Sequence, residues 1–274
     1  MRVMYWNCTA PAGGTSVFDE TKRAMISNRI LAVQPSIVCL DEVSAKISNK
    51  AQADVYANSG GAGSFGATYK AACVSENPGT HLNQVVYVAN ATKGCKTAEG
   101  IPSGDWDGEQ TKRNLTRVTW QDPVTTRLIY IWFIHANASV AGGKLAVDLA
   151  LIAMKGQNAV FIGDFNSSGV TAVDTAKAVS LSFAVLPKTL SAKGVAYTQW
   201  SKTQRAVQTD PDYQITGTVF DFKPSPWGCL DFAVASGGVK VTAIDALTGL
   251  NADAVGQVMM NMDHFPVAYD ITAS

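Results

Sequence analysis

Asp164 and Asn166 stand two residues apart in Ile162-Gly-Asp-Phe-Asn166, directly after the apolar run Val160-Phe161. A buried strand that delivers an acid and a carboxamide at its end is a common way to build a phosphate or metal site. Gly163 lets the backbone bend there or approach a neighbour closely. Five further apolar segments carry polar groups at an end or edge. Val3–Trp6 ends in Asn7, and Ile37–Leu40 ends in Asp41 and Glu42. Leu128–Ile134 ends in His135, with Asn137 two residues on; Leu230 leads into Asp231, and Asp263-His264 precedes Phe265–Val267. One such coincidence is ordinary. Six point to a single convergent polar pocket.

These residues need elements to carry them. Asp19 to Val33 places Met25, Ile26, Arg29, Ile30 and Val33 at helical spacing, and Pro35 closes that helix. Residues 51–70 are rich in Ala, Gly and Ser and read as a loop, as do residues 99–110. Asn83–Val88, Leu115–Trp120 and Leu128–Ile134 read as strands, the last two joined by a hairpin turn at Asp122-Pro123 and Thr125-Thr126. Lys144 to Lys155 reads as a helix capped by Gly156, and 174–181 as a shorter one. The region 189–227 is turn-rich, and strands near 229–235 and 264–270 close the chain. No repeat or linker is visible, so one domain over residues 1–274 is expected. Strands outnumber helices and include both hairpins and crossovers, which predicts a layered α/β or α+β sandwich.

With 274 residues, 47% of them hydrophobic and 16% charged, the chain can bury a large core and does not read as disordered. No apolar run reaches the roughly 20 residues of a membrane-spanning helix. Twenty-two basic and 22 acidic side chains cancel, so any affinity for nucleic acid must come from a local basic patch. No signal-peptide pattern precedes the first strand, as in a mature form with an added Met. Cys8, Cys39 and Cys229 lie in or beside apolar strand segments and read as small hydrophobes. Cys73 and Cys95 lie in more polar surroundings, and the sequence leaves open whether they form a bridge.

The ordered set Met4–Asn7, Val38–Val43, Ile134–Ala136, Gly163–Asn166, Leu230–Phe232 and Asp263–Val267 resembles the endonuclease/exonuclease/phosphatase superfamily. Each motif alone is weak; together they span nearly the whole chain in the family's order. Within the superfamily the chain is most similar to pancreatic-type deoxyribonucleases and to the B subunit of cytolethal distending toxins, through Asn83–Tyr87 and Ile134–Gly143. The resemblance implies a deoxyribonuclease-I-like four-layer sandwich: two packed, mainly antiparallel β-sheets flanked by helices, with the site at one edge. Three positions depart from the family pattern. Asp41 replaces a Gln, Met262 replaces a Ser, and Asn83 or Gln84 stands near the Glu that pairs with the first His. An amide favours a charged imidazole at His135 less than a carboxylate would.

The resemblance implies phosphodiester hydrolysis. Glu42, Asn7 and Asp263 supply hard oxygen ligands suited to Mg²⁺, with Mn²⁺ or Ca²⁺ as substitutes. His264 is the candidate general base, oriented by Asp231. Asp164 would hold the attacking water, Asn166 would donate to phosphoryl oxygens, and His135 would bind the phosphate or protonate the leaving oxygen. Arg113, Arg117 and Asn137 would contact the substrate, as Arg forks contact phosphate. Strand alternation turns Asp41 away from Glu42, and Arg113 in Lys112-Arg113 reads equally as a solvated basic pair. The expected substrate is the DNA backbone, cut with little sequence preference because these groups touch phosphate rather than base edges. A phosphoinositide phosphatase or sphingomyelinase-type phospholipase is the alternative. The toxin-like segments imply a secreted bacterial effector or toxin subunit with delivery partners.

Overall fold

β-Branched and aromatic runs make the strands of this protein, and the points where they end decide where its polar groups converge. The computed structural model describes residues 1–8, 20–44, 46–59, 63–76, 82–102, 115–136, 140–166, 182–185, 191–192, 195–196, 200–201, 223–224, 231–251, 254, 258, 262 and 264–274. The N-terminal half runs β1 (Arg2–Asn7), α1 (Glu20–Val33), β2 (Ile37–Ser44), α2 (Lys50–Asn58), β3 (Tyr69–Glu76), β4 (Leu82–Ala89), β5 (Cys95–Ile101), β6 (Leu115–Gln121) and β7 (Leu128–His135). Then come α3 (Val140–Ala153), β8 (Ala159–Asp164) and β9 (Ser182–Val185). Four short strands follow: β10 (Ser191–Ala192), β11 (Val195–Ala196), β12 (Trp200–Ser201) and β13 (Lys223–Pro224). β14 (Asp231–Ser236), β15 (Val239–Ile244) and β16 (Val267–Ala273) complete the chain.

Two six-stranded sheets form the body, in the orders β15-β16-β1-β2-β4-β3 and β5-β6-β7-β8-β14-β9. Each contains one parallel pair, β1–β2 and β7–β8, and is otherwise antiparallel. Three apolar clusters show the layering. Met4, Trp6, Val38 and Leu40 pack under Ile26 and Ile30 of α1 and Tyr56 of α2. Tyr5, Cys39, Ile131, Phe133, Val160 and Ile162 fill the space between the sheets. Phe161, Phe232 and Val234 pack under Ala146 and Ala150 of α3. This is the four-layer sandwich expected from the sequence. Among the described residues no helix is long and apolar enough to cross a membrane.

Several elements differ from the sequence reading. Residues 50–58 form a helix rather than a loop. Asn49 caps it by accepting from the Gln52 amide, and Ala53, Tyr56 and Ala57 bury one face at helical spacing. The Gly-rich stretch that gave the segment its loop-like composition begins only at residue 60. Strand β5 takes up the start of the expected 99–110 loop. Helix α3 begins four residues before Lys144, and Gly156, at φ +75°, follows its last turn as a left-handed stop. Cys73 and Cys95 are free thiols. The expected helix at 174–181 lies outside the described residues.

Candidate active site

Side chains alternate between the two faces of a strand, so each inter-sheet apolar row points to the next inward position. In β1 the row Val3, Tyr5 continues to Asn7, and in β2 the row Ile37, Cys39 continues to Asp41. In β7, Ile131 and Phe133 lead to His135; in β8, Val160 and Ile162 lead to Asp164; in β14, Ala235 and Ala233 lead back to Asp231. The pairings Asn7↔Asp41, His135↔Asp164 and Asp231↔Asp164 bring these five ends to one edge of the sandwich. Thus the alternation that builds the core also builds the polar cluster. His264 enters from the segment before β16, where its backbone carbonyl accepts the Trp6 indole N–H at 2.9 Å.

The groups interlock around Asp164. Its Oδ2 lies 3.7 Å from His264 Nε2, 3.8 Å from His135 Nε2 and 3.3 Å from Asn7 Nδ2. Its Oδ1 accepts the Asn166 amide at 2.8 Å. Asn166 takes the left-handed region at φ +48° and donates its side-chain N–H to the Ala136 carbonyl at 2.7 Å. That bond ties the end of β8 to the end of β7. His264 Nδ1 is 2.7 Å from Asp231 Oδ2. With Nδ1–H donating to Asp231, a neutral ring would present Nε2 as an acceptor on the Asp164 side.

His135 has a different environment. Its Nδ1 stands 3.0 Å from Asp41 Oδ2 and 3.7 Å from Glu42 Oε1. Asp41 is fully buried; it accepts the Tyr5 hydroxyl at 2.5 Å and the Glu42 amide at 2.8 Å. Strand alternation alone would turn Asp41 away from Glu42. The structure corrects that expectation, because the β2–β4 register slips between Leu40 and Val43 and Glu42 sits at φ +52°. A bulge of this kind aims two successive side chains to one side. Asp41 therefore follows the alternation of its strand, and it is Glu42 that the bulge brings round to the same side. Asn83 instead donates to the Ile47 carbonyl, and Gln84 accepts the Thr116 hydroxyl.

Burial and charge set the protonation states. Burial alone would push His135 down, but Asp41, Asp164 and Glu42 outweigh it and raise its pKa to about 9. Burial raises Glu42 to about 7, with Asp41 adding to the push and His135 opposing it. Burial also lifts Asp164 to about 6, with Asp231 adding and the two imidazoles opposing. Asp41 stays below the ordinary carboxylate range: burial would raise it, but His135 and the Tyr5 and Glu42 hydrogen bonds overcome that. His135 is thus a cation at neutral pH, a donor through both nitrogens.

A raised imidazole pKa contributes stability that is complete below its unfolded value, about 6.5, and is lost as pH rises through about 9. Asp41→Asn should therefore remove most of a decline of roughly 3 kcal/mol between those two pH values. Urea unfolding of wild type and variant at both ends of the window measures it; an equal decline in the variant would show that Asp41 does not hold the charge.

Gly163 sets the spacing between the two halves of the site. It pairs with Ile134, and a Cβ there would lie 1.9 Å from the Ile134 carbonyl oxygen, one residue before His135. Gly163→Ala should force β8 from β7, costing on the order of 2–4 kcal/mol in stability and at least about 100-fold in turnover. Thermal unfolding together with steady-state kinetics checks both.

Four carboxylates, Asp41, Glu42, Asp164 and Asp231, face two imidazoles at this edge. Even with both rings charged, full ionisation leaves an excess of two negative charges. Hard oxygen donors with that excess fit a divalent cation. Asp164, Asp231 and His264 also have donor atoms within 4.8 Å of one another. The 2.7 Å Asp231–His264 contact, however, is a hydrogen bond that already uses those two atoms. Glu42, with its raised proton affinity, is the better ligand candidate. Arg117 lies outside the site. It sits on the outer face of its sheet, bound to Glu99 at 2.7 Å with its guanidinium 5.0 Å from the Trp132 ring centre. Asp263, Arg113 and Asn137 lie outside the described residues.

Solved structures with this arrangement of sheets share the whole length of the chain. An endonuclease/exonuclease/phosphatase from Bacteroides vulgatus is 14% identical with a TM-score of 0.62, covering 100% of this chain and 98% of that one. The fold is that of the endonuclease/exonuclease/phosphatase proteins. The human Nocturnin catalytic domain, solved with a bound sulfate anion, is 18% identical with a TM-score of 0.58, covering 100% and 94%. ANGEL2, described as a 2′,3′-cyclic phosphatase in complex with adenosine-2′,3′-vanadate, is 13% identical with a TM-score of 0.57, covering 98% and 94%. No family model and no curated protein matches the sequence. At these identities the likeness establishes the endonuclease/exonuclease/phosphatase fold, and the chemistry must be argued from the site.

Proposed function

We propose that the protein is a Mg²⁺-dependent phosphodiesterase that hydrolyses the DNA backbone with little sequence preference. One observation carries this reading. Asp164 Oδ2 lies between two imidazoles, 3.7 Å from one and 3.8 Å from the other, and each imidazole has its own carboxylate. Two imidazoles on either side of one carboxylate can divide the proton transfers of hydrolysis between them, one as base and one as acid. His264, held by Asp231, takes the proton from an attacking water through Nε2. Asp164 accepts that water's other hydrogen bond and orients it. His135, charged by Asp41, donates to the phosphate or to the leaving oxygen. Glu42, with Asn7, would hold Mg²⁺, which when bound supplies charge relief at a phosphoryl oxygen. The described site groups recognise a phosphate and its charge, which favours cutting without regard to base identity.

Supercoiled plasmid nicking tests the reading, run with Mg²⁺, with EDTA, and alongside phosphate release from phosphoinositides and sphingomyelin. Metal-dependent nicking is expected. Turnover of a lipid phosphoester with no nicking would replace DNA by the alternative substrate class.

A further inference from the structure

Asp41 carries a contact from one sheet to the other. It ends the inward row of β2, and its Oδ2 lies 3.0 Å from Nδ1 of His135, which ends the inward row of β7 in the opposite sheet. A second donor reaches the same oxygen. Tyr5 stands on β1, in Asp41's own sheet, two residues before Asn7 and on the same face. Its hydroxyl donates to Asp41 Oδ2 at 2.5 Å. The register Tyr5↔Cys39 and Asn7↔Asp41 makes this contact diagonal, from one strand to the next inward residue of its neighbour.

Packing alone does not call for that hydroxyl. Tyr5 is fully buried in the apolar layer between the sheets, with Val3, Cys39, Phe133 and Val267. A Phe would fill the same space. A buried phenol takes a hydrogen-bond partner, and Tyr69 and Tyr87 find theirs in the backbone carbonyls of Pro35 and Ala53. Tyr5 instead bonds a carboxylate of the site. Burial, with Asp41, Asp164 and Asp231 adding, raises its pKa, so it stays a donor.

The last torsion of an Asp side chain is broad. At Asp41 it is fixed from both ends, because Oδ1 accepts the Glu42 amide at 2.8 Å while Oδ2 accepts the phenol. The carboxylate plane is thereby set on its own sheet, facing His135 across the gap. The other ring nitrogen of His135, Nε2, lies 3.8 Å from Asp164. Where Oδ2 is held therefore decides how the ring is aimed at the reacting centre.

We propose that Tyr5 is a positioning residue for hydrolysis, fixing the Asp41 carboxylate and through it the direction in which His135 presents Nε2 to the phosphate. The inference rests on the phosphodiesterase reading and holds for either substrate class.

Hydrolysis of bis(p-nitrophenyl) phosphate with Mg²⁺ by Tyr5→Phe, Asp41→Asn and the double variant tests it. Tyr5→Phe should lower kcat by about tenfold or more, as loss of a supporting hydrogen bond does. KM should stay within about twofold, since the lost interaction acts in the transition state. On the Asp41→Asn background the same change should lower kcat by less than about twofold, because the shared carboxylate is gone. An unchanged kcat, or an equal fall in both backgrounds, would overturn the proposal. Proton NMR of wild type gives a readout that needs neither variant nor turnover. The Nδ1–H of His135 and the Tyr5 hydroxyl should show a cross-peak, since both approach one oxygen, and its absence would overturn the positioning role. With that cross-peak present, failure of metal-loaded wild type to hydrolyse any phosphodiester would overturn the phosphodiesterase reading instead.

Discussion

Replacing His264 by Ala should lower the turnover of a phosphodiester by about 1,000- to 10,000-fold. The ring is buried, its Nδ1 is engaged by Asp231 at 2.7 Å, and its Nε2 is 3.7 Å from Asp164. Among the described residues no other imidazole can take over. His135 is held as a cation by Asp41, so it has no lone pair to accept a proton near neutral pH. Truncation also removes a partner from the buried Asp231 carboxylate, which costs stability. His264→Gln keeps an N–H in that region while removing the base. The two variants should therefore share the catalytic loss and differ in melting temperature. Near-wild-type turnover in either would remove His264 from the mechanism.

The second large effect is expected at Glu42, and it has two opposite signs. Glu42→Gln should abolish the metal-dependent part of the activity, a loss of about 1,000-fold or more. It should also make the metal-free protein more stable at pH 8. A carboxyl raised to about 7 by burial and by Asp41 is strained whenever it is ionised in the folded protein. Its unfavourable contribution is absent below its ordinary value of about 4.5, grows between there and about 7, and is complete above. The gain from Gln is bounded by roughly 3 kcal/mol, less whatever attraction to His135 is lost. Such an exchange of stability for function is common at sites built to receive a ligand. Added Mg²⁺ should raise the melting temperature of wild type at pH 8 and leave that of Glu42→Gln nearly unchanged. A destabilised Glu42→Gln at pH 8 would mark Glu42 as a structural ion-pair partner of His135 instead.

Much of this site could be read before any coordinates, for a physical reason. Asn7, His135, Asp164 and Asp231 each continue an apolar alternation, so the residues that announce a buried strand also announce which way its terminal polar group points. Asp41 escaped because it was judged against Glu42, which a bulge turns to the same side, and bulges leave little trace in sequence. Arg117 was drawn to the site by family likeness, but its own strand is regular. Thr116 and Val118 face inward, so Arg117 faces out, toward Glu99 and Trp132. Helix α2 was hidden by composition. Ala and Ser suit loops and helices alike, and only the cap at Asn49 and the spacing of Ala53, Tyr56 and Ala57 distinguish them.

The central claim is that two buried imidazoles, each held by its own carboxylate, work on a metal-held phosphodiester. Its most direct test is hydrolysis of bis(p-nitrophenyl) phosphate by wild type and His264→Gln, with and without Mg²⁺. Circular dichroism would confirm that both are folded, and calorimetry that both bind the ion. Wild type should turn over only with the metal, and His264→Gln should bind the metal and remain inactive. Comparable turnover by folded, metal-loaded His264→Gln would contradict the account.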